Sequence, residues 1–181
     1  FILGPIRPRR NASPAADSVP PLLALDAEVE LSSENGTRRM PLADFIVGNR
    51  KTLRQTNELL SRVYVPRTLE NARSVFLKLG ARRYLVISIA MVAAVVQRND
   101  AGLVADARIG VGSCSAVATR LTDLERKLIG EKAAFGLGAL ASSDHLQGLT
   151  PIDDVRATSF YRRDAVLSLV RRALNACVGS R

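Results

Sequence analysis

A chain of 181 residues, 47% hydrophobic and 24% charged, has apolar material for one globular domain or two small ones, and nothing beyond its first ten residues reads as disordered. Two cysteines exclude a disulfide framework and fit a reducing compartment; a single histidine excludes a His-based metal site or a Ser-His-Asp triad. The formal charge of +9 raises nucleic acid as a partner, yet five Phe, three Tyr and no Trp leave little to stack on bases, so a solvated basic face or a dock for an acidic protein is the better reading.

The chain begins at Phe1 rather than Met, and Phe1–Arg10 match no element pattern, which reads as a fragment. Arg7, Arg9 and Arg10 follow too short an apolar start for a secretory signal. The first informative stretch is Asn11–Pro20, polar and small, with two prolines, running into Leu22-Leu23-Ala24-Leu25. It predicts a rigid loop that delivers a helix start. Such a loop can hold a phosphate or a sugar hydroxyl, although on spacing alone an ordinary surface turn is the plainer reading.

Val29 and Leu31, then Met40 and Leu42, alternate around Asn35-Gly36, the strongest short signal for a hairpin. Pro41–Ile46 predicts one helical turn ending near Gly48, and Glu58–Val65 a strand stopped by Pro66. A boundary near Pro66–Asn71 divides the chain into residues 1–71 and 72–181. The first part carries ten Lys/Arg against eight Asp/Glu, the second sixteen against nine.

The second part opens with Ser74–Lys78. Leu85–Val96, broken only by Ser88, is shorter than the ~20 residues a bilayer span needs, so it predicts a buried strand, continued to Gln97, and a soluble, cytoplasmic protein. After a turn at Arg98–Gly102, Leu103–Gly112 alternates with Ala105, Ala107, Ile109 and Val111 on one face and Asp106, Arg108, Gly110 and Gly112 on the other. Helices are predicted over Leu121–Ile129, over Ala133–Ser142, and behind an N-cap at Ser159, with Val166, Leu169, Val170, Ala173, Leu174 and Cys177 as the apolar stripe. The fold class is α+β, with a three-stranded antiparallel sheet packed on three helices in the second part.

Chemistry-bearing groups are scarce, and no catalytic or metal-ligating set emerges. His145 reads as solvated, Cys177 as core, Gly110-Val111-Gly112-Ser113 as strand punctuation and Asp153-Asp154 as helix-start charge. Lys78, with Arg82 and Arg83 near it, could meet a phosphate or an electron-rich ring, or guard a sheet edge.

Several separated segments resemble the FAD-binding (medium) subunit of the molybdenum hydroxylases, the group of xanthine dehydrogenase, aldehyde oxidase and carbon monoxide dehydrogenase. They are Asn11–Ala27, Pro41–Phe45 with Thr52-Leu53, Glu58–Leu60 through Val65-Pro66, Phe76–Lys78 with Arg82-Arg83, and Thr150–Arg163. The resemblance implies that residues 1–71 belong to a FAD-binding domain and 72–181 to a C-terminal flavoprotein domain. It implies electron transfer from iron–sulfur clusters on a small subunit, fed by a molybdopterin large subunit, through FAD to NAD or another acceptor. By motif, Asn11, Ser13 and Asp17 would contact the FAD phosphate and ribose, Leu60 would pack near the adenine or flavin, and Lys78 would lie by the isoalloxazine. The family's Gly-Gly-Asn run before the loop is replaced here by Pro5–Arg10, and its N-terminal subdomain lies outside the sequence. Weak FAD retention by the chain alone is therefore expected. A remnant that only docks partners, using Arg162, Arg163, Arg171 and Arg172, is the alternative, and a basic nucleic-acid-binding domain a third.

Overall fold

The described residues of the computed structural model are 13–82 and 86–179. Helix α1 (Val19–Ala24) follows the polar loop and leads to β1 (Glu28–Ser33) and β2 (Gly36–Pro41). Asn35-Gly36 makes the predicted hairpin, with Val29 opposite Met40 and Leu31 opposite Arg38. A four-residue helix α2 (Leu42–Phe45), a small ribbon β3 (Ile46–Gly48) and β4 (Lys51–Thr52), and β5 (Leu59–Tyr64) complete the first part. The strands pair antiparallel in the order β2-β1-β5. Their inner face buries Val29 and Leu31 against Val19, Leu23, Leu42 and Phe45. An ion pair and a backbone hydrogen bond brace the rim: Arg38 Nε donates to Glu58 Oε1 at 2.6 Å, and the Gln55 N–H donates to Glu58 Oε2 at 2.7 Å. These bonds, Arg38 first, hold the Glu58 carboxyl down to about 2.

The second part is a sheet of four strands, one more than the periodicity predicts: β6 (Arg73–Leu79), β7 (Ala90–Arg98), β8 (Val104–Gly112) and β9 (Thr119–Arg120), antiparallel in that order. β9 is two residues long and offers no pattern to read. Behind it come α3 (Thr122–Leu128), two single 3-10 turns (Leu137–Leu140 and Ser143–Leu146) and the long α4 (Ser159–Val178). The expected helix over 133–142 is replaced by the first of these turns. Gly136 enters it at φ 99, and a Cβ on Gly138 would lie 2.3 Å from the Arg171 carbonyl oxygen. Close approach to α4 thus wins over helical propensity, and no three-helix bundle forms. The N-cap of α4 is Thr158, not Ser159: its Oγ1 accepts the Tyr161 N–H at 3.2 Å.

One face of the larger sheet carries the main core, where Val92, Ala94, Ile109 and Val111 meet Val166, Val170, Ala173 and Leu174 of α4. The other face is covered by α1. Ala24 packs there with Ala93 and Val95, which is why β7 reads as an unbroken apolar run. The polar face expected on β8 is likewise overturned at its end. Gly110 and Gly112 are buried, and a Cβ on Gly110 would lie 2.4 Å from the Pro20 carbonyl oxygen. The strand does end at Gly112, as expected, but the two glycines also leave room, Gly110 for the backbone of Pro20 and Gly112 for its ring and for Met91.

Asp26, in the left-handed region at φ 48, links the two parts by bonding both Arg108 and Arg120. Arg120 also pairs with Glu125 at 2.8 Å, whose Oε1 accepts the buried Ile109 N–H at 2.7 Å. Among the described residues no helix is long and apolar enough to cross a membrane.

Both cysteines are buried free thiols, and burial pushes each from 9.0 up to about 11. Maleimide labelling of the native protein at pH 8 should therefore be negligible, rising to two labels per chain in 6 M guanidinium. Keeping these thiols protonated favours the fold below pH 9, and that contribution is lost as pH climbs from 9 towards 11.

Candidate functional site

The loop before α1 closes on itself. The Ala16 N–H donates to the Ser13 carbonyl at 3.0 Å, the Ala15 N–H to Ser13 Oγ at 3.3 Å and the Val19 N–H to the Ala16 carbonyl at 3.1 Å. It is anchored to the larger sheet by the Ser113 N–H, which donates to the Pro14 carbonyl at 2.8 Å. This fixes Asp17 at the edge of that sheet, where Lys78 Nζ donates to its Oδ2 at 2.6 Å and Ser88 Oγ to its Oδ1 at 2.9 Å.

Asp17 and Lys78, 61 residues apart, are therefore brought together by the fold. Lys78 does sit on an edge strand, but its charge is balanced by the carboxylate. Ser13 stands at the start of the same loop. Leu60 lies elsewhere, on β5 across from Leu31, packed against the smaller core. Asn11 and Arg83 lie outside the described residues.

Beside the Asp17–Ser88 contact opens a cleft of about 610 Å³. Small hydroxyl-bearing residues line it (Ser13, Ser88, Ser113, Thr150), with Ile87 and Ile152 as its apolar surfaces. Both isoleucines are exposed large hydrophobics. Three guanidinium groups, Arg50, Arg156 and Arg162, also reach the lining, against the single carboxylate Asp154. Burial would raise the Asp154 carboxyl; bonds from the Arg156 side chain and N–H, Arg162 and the Ala157 N–H outweigh it and hold the group well below the usual carboxylate range.

Arg162 is the unforeseen member. It is only 2% exposed, so it is no part of a docking face. Its Nη1 donates to the carbonyls of Ile89 and Ser113, and its Nη2 to Asp154 Oδ1 at 2.8 Å. One guanidinium gathers the start of β7, the end of β8 and the 150–158 loop. Two more of the arginines expected to dock partners are spent internally: Arg163 on the Leu146 and Leu149 carbonyls, Arg171 on that of Ala141. Of the Asp153-Asp154 pair expected as helix-start charge, Asp153 does accept the Ser159 N–H, whereas Asp154 is taken up by Arg156 and Arg162. His145 is not simply solvated, because its Nδ1 accepts the Ser142 N–H at 3.1 Å and closes a 3-10 turn. A signal for the clamp was present in the alternation of Asp154, Arg156 and Arg162 behind Thr150, but only tertiary structure says which charges pair.

Residues 10–68 match the family model described as the FAD binding domain in molybdopterin dehydrogenase, and residues 75–177 match that of the CO dehydrogenase flavoprotein C-terminal domain. The chain belongs to this family of flavoproteins. It is 30% identical over 165 residues to the glyceraldehyde dehydrogenase medium chain of Sulfolobus acidocaldarius, covering 90% of this chain and 57% of that one. It is also 30% identical over 164 residues to the 6-hydroxypseudooxynicotine dehydrogenase complex subunit alpha of Paenarthrobacter nicotinovorans, covering 91% of this chain and 55% of that one. Among solved structures it resembles carbon monoxide dehydrogenase from Hydrogenophaga pseudoflava, with a TM-score of 0.84 at 27% identity over 92% of this chain and 57% of that one. The chain thus spans a little over half the length of the curated relatives it matches.

The residues present fit FAD, the cofactor named for the first segment's family. A flavin dinucleotide needs apolar surface for its rings and cationic donors for its diphosphate; the cleft provides Ile87 and Ile152 for the one and an excess of guanidinium over carboxylate for the other.

Proposed function

We propose that the chain is the FAD-holding part of a molybdenum hydroxylase. In that role it serves a small subunit with iron–sulfur clusters and a large subunit with molybdopterin, with NAD or another molecule as final acceptor, in the reducing cytoplasm that two free thiols suit. When bound, the flavin supplies the electron transfer; the chain's residues bind and orient it. Residues 1–71 contribute the loop, and residues 72–181 contribute the sheet against which it is held.

The observation that carries this reading is the Asp17–Lys78 pair beside the cleft, tied to it by Ser88. Ser13 and Asp17 offer oxygen acceptors and a hydroxyl to the ribose and phosphate region, as Asn11 does by motif. Lys78 stands ready at the ring edge, its charge held in place by Asp17 until a ligand competes for it. Leu60 on β5, by the same motif, would pack near the adenine or the flavin.

The test is the visible spectrum of the protein after incubation with FAD and desalting. Partial retention of the flavin bands, as weak binding by the chain alone implies, is the expected result. Asp17→Ala removes charge-assisted hydrogen bonds worth about 1.5–3 kcal/mol, so it should weaken FAD roughly tenfold or more, and Lys78→Ala should do likewise. A colourless protein that still unfolds cooperatively would overturn the proposal in favour of a partner-docking role.

A further inference from the structure

We infer that the inner end of the cleft is an oxyanion subsite, in which Arg162, Arg156, Arg50 and the Ser113 hydroxyl receive a phosphate group. Three independent features converge there.

The first is an orphan donor. Arg162 lines the cleft, and its Nε–H is the one buried side-chain polar atom among the described residues with no hydrogen-bond partner. Buried N–H groups are rarely left unmade, because the desolvation cost is not recovered; an acceptor oxygen arriving with a ligand would complete the guanidinium. The second is charge. Arg156 and Arg162 share one carboxylate, Asp154, at 2.5 and 2.8 Å, so the cluster keeps an unbalanced positive charge, to which Arg50 adds. Asp17, tied to the cleft through Ser88, is matched by Lys78.

The third is backbone strain. Three non-glycine residues among those described have positive φ, and two of them, Arg50 at 57° and Ser113 at 64°, line this cleft. Such conformations persist where surrounding structure enforces them, and they concentrate at binding sites. Here the enforcement is visible. Ser113 is pinned through its N–H to Pro14 and through its carbonyl to Arg162, and its hydroxyl is left only a long 3.5 Å contact to the Pro14 carbonyl. Ser115 by contrast is spent, donating to the Cys114 carbonyl and accepting the Thr150 N–H, so it braces the wall and does not bind.

The phosphate is either the flavin's own diphosphate, in which case the subsite rests on the flavin reading, or that of a separate ligand. Titration calorimetry with inorganic phosphate, at ionic strength fixed with chloride, tests the subsite on the 181-residue chain. Saturable binding of one phosphate is expected, weakened at least tenfold by Arg156→Gln and by Arg162→Lys, and unchanged by Arg172→Gln further along α4. If Arg162→Lys does not fold, Arg156→Gln decides. Phosphate that displaces FAD identifies the flavin's diphosphate; phosphate that binds alongside FAD identifies a separate ligand. No saturable phosphate binding, or an affinity unmoved by Arg156→Gln, overturns the subsite. FAD retention without phosphate binding sinks this inference alone, and phosphate binding without FAD retention sinks the flavin reading alone.

Discussion

Arg162→Met should lower the stability of the protein by about 3–5 kcal/mol, the cost of breaking a buried pair from one side. The side chain is 2% exposed, and its volume is nearly conserved, so the loss is electrostatic rather than steric. Without the guanidinium, the Ile89 and Ser113 carbonyls lose their donor and Asp154 loses the partner on its inner side. Urea unfolding reads the loss directly; for a chain of this length it corresponds to a drop in Tm of roughly 10 °C. Adding Asp154→Leu should recover part of it, because the second change removes the stranded charge. A loss under about 1 kcal/mol would mean that Arg162 does not hold the cleft walls together, since a surface pair is worth no more than that.

The second large effect is expected at Gly110. An alanine Cβ there would sit 2.4 Å from the Pro20 carbonyl oxygen and 3.1 Å from its carbon, both backbone atoms that cannot swing aside. Helix α1 must then lift from β8. Overpacking of this kind costs about 1–3 kcal/mol, and contact with backbone puts Gly110→Ala at the top of that range. Because α1 is continuous with the loop carrying Ser13 and Asp17, FAD retention should fall along with stability. Gly148→Ala is the control: a Cβ there meets nothing within 4 Å, so its effect should stay within about 0.5 kcal/mol. Equal effects at the two positions would show that close helix–sheet approach is not what Gly110 provides.

Much of this fold is legible in the sequence where local physics is decisive. Asn35-Gly36 fixes one hairpin, Pro66 follows the end of β5, and the Val166–Cys177 stripe lays out α4 before any contact is known. What is not legible depends on partners distant in the chain. Nothing near Gly110 says that Pro20, ninety positions earlier, will lie against it, so a buried glycine face passes for the polar face of a half-exposed strand. Residues 133–142 have helical composition, yet the closeness of Arg171 to Gly138 decides their shape. The site divides in the same way. Motif resemblance singles out Asp17 and Lys78, which do meet, but Ser88 reads as a flaw in an apolar run until it is seen donating to Asp17. Arg162 reads as one cation among four on a helix. Burial, not spacing, sets it apart.

The seating of α1 also bears on how such chains can be recombined. By sequence this helix belongs to the segment matched at 10–68, yet it packs on strands of the segment matched at 75–177 as well as on its own. Pro20 and the two glycines of β8 are thus a lock whose halves sit in different modules. A chimaera that joined residues 1–71 to the corresponding sheet of a distant relative would inherit one half of the lock without the other. Viable exchanges are those that carry both halves together, whatever boundary the sequence suggests.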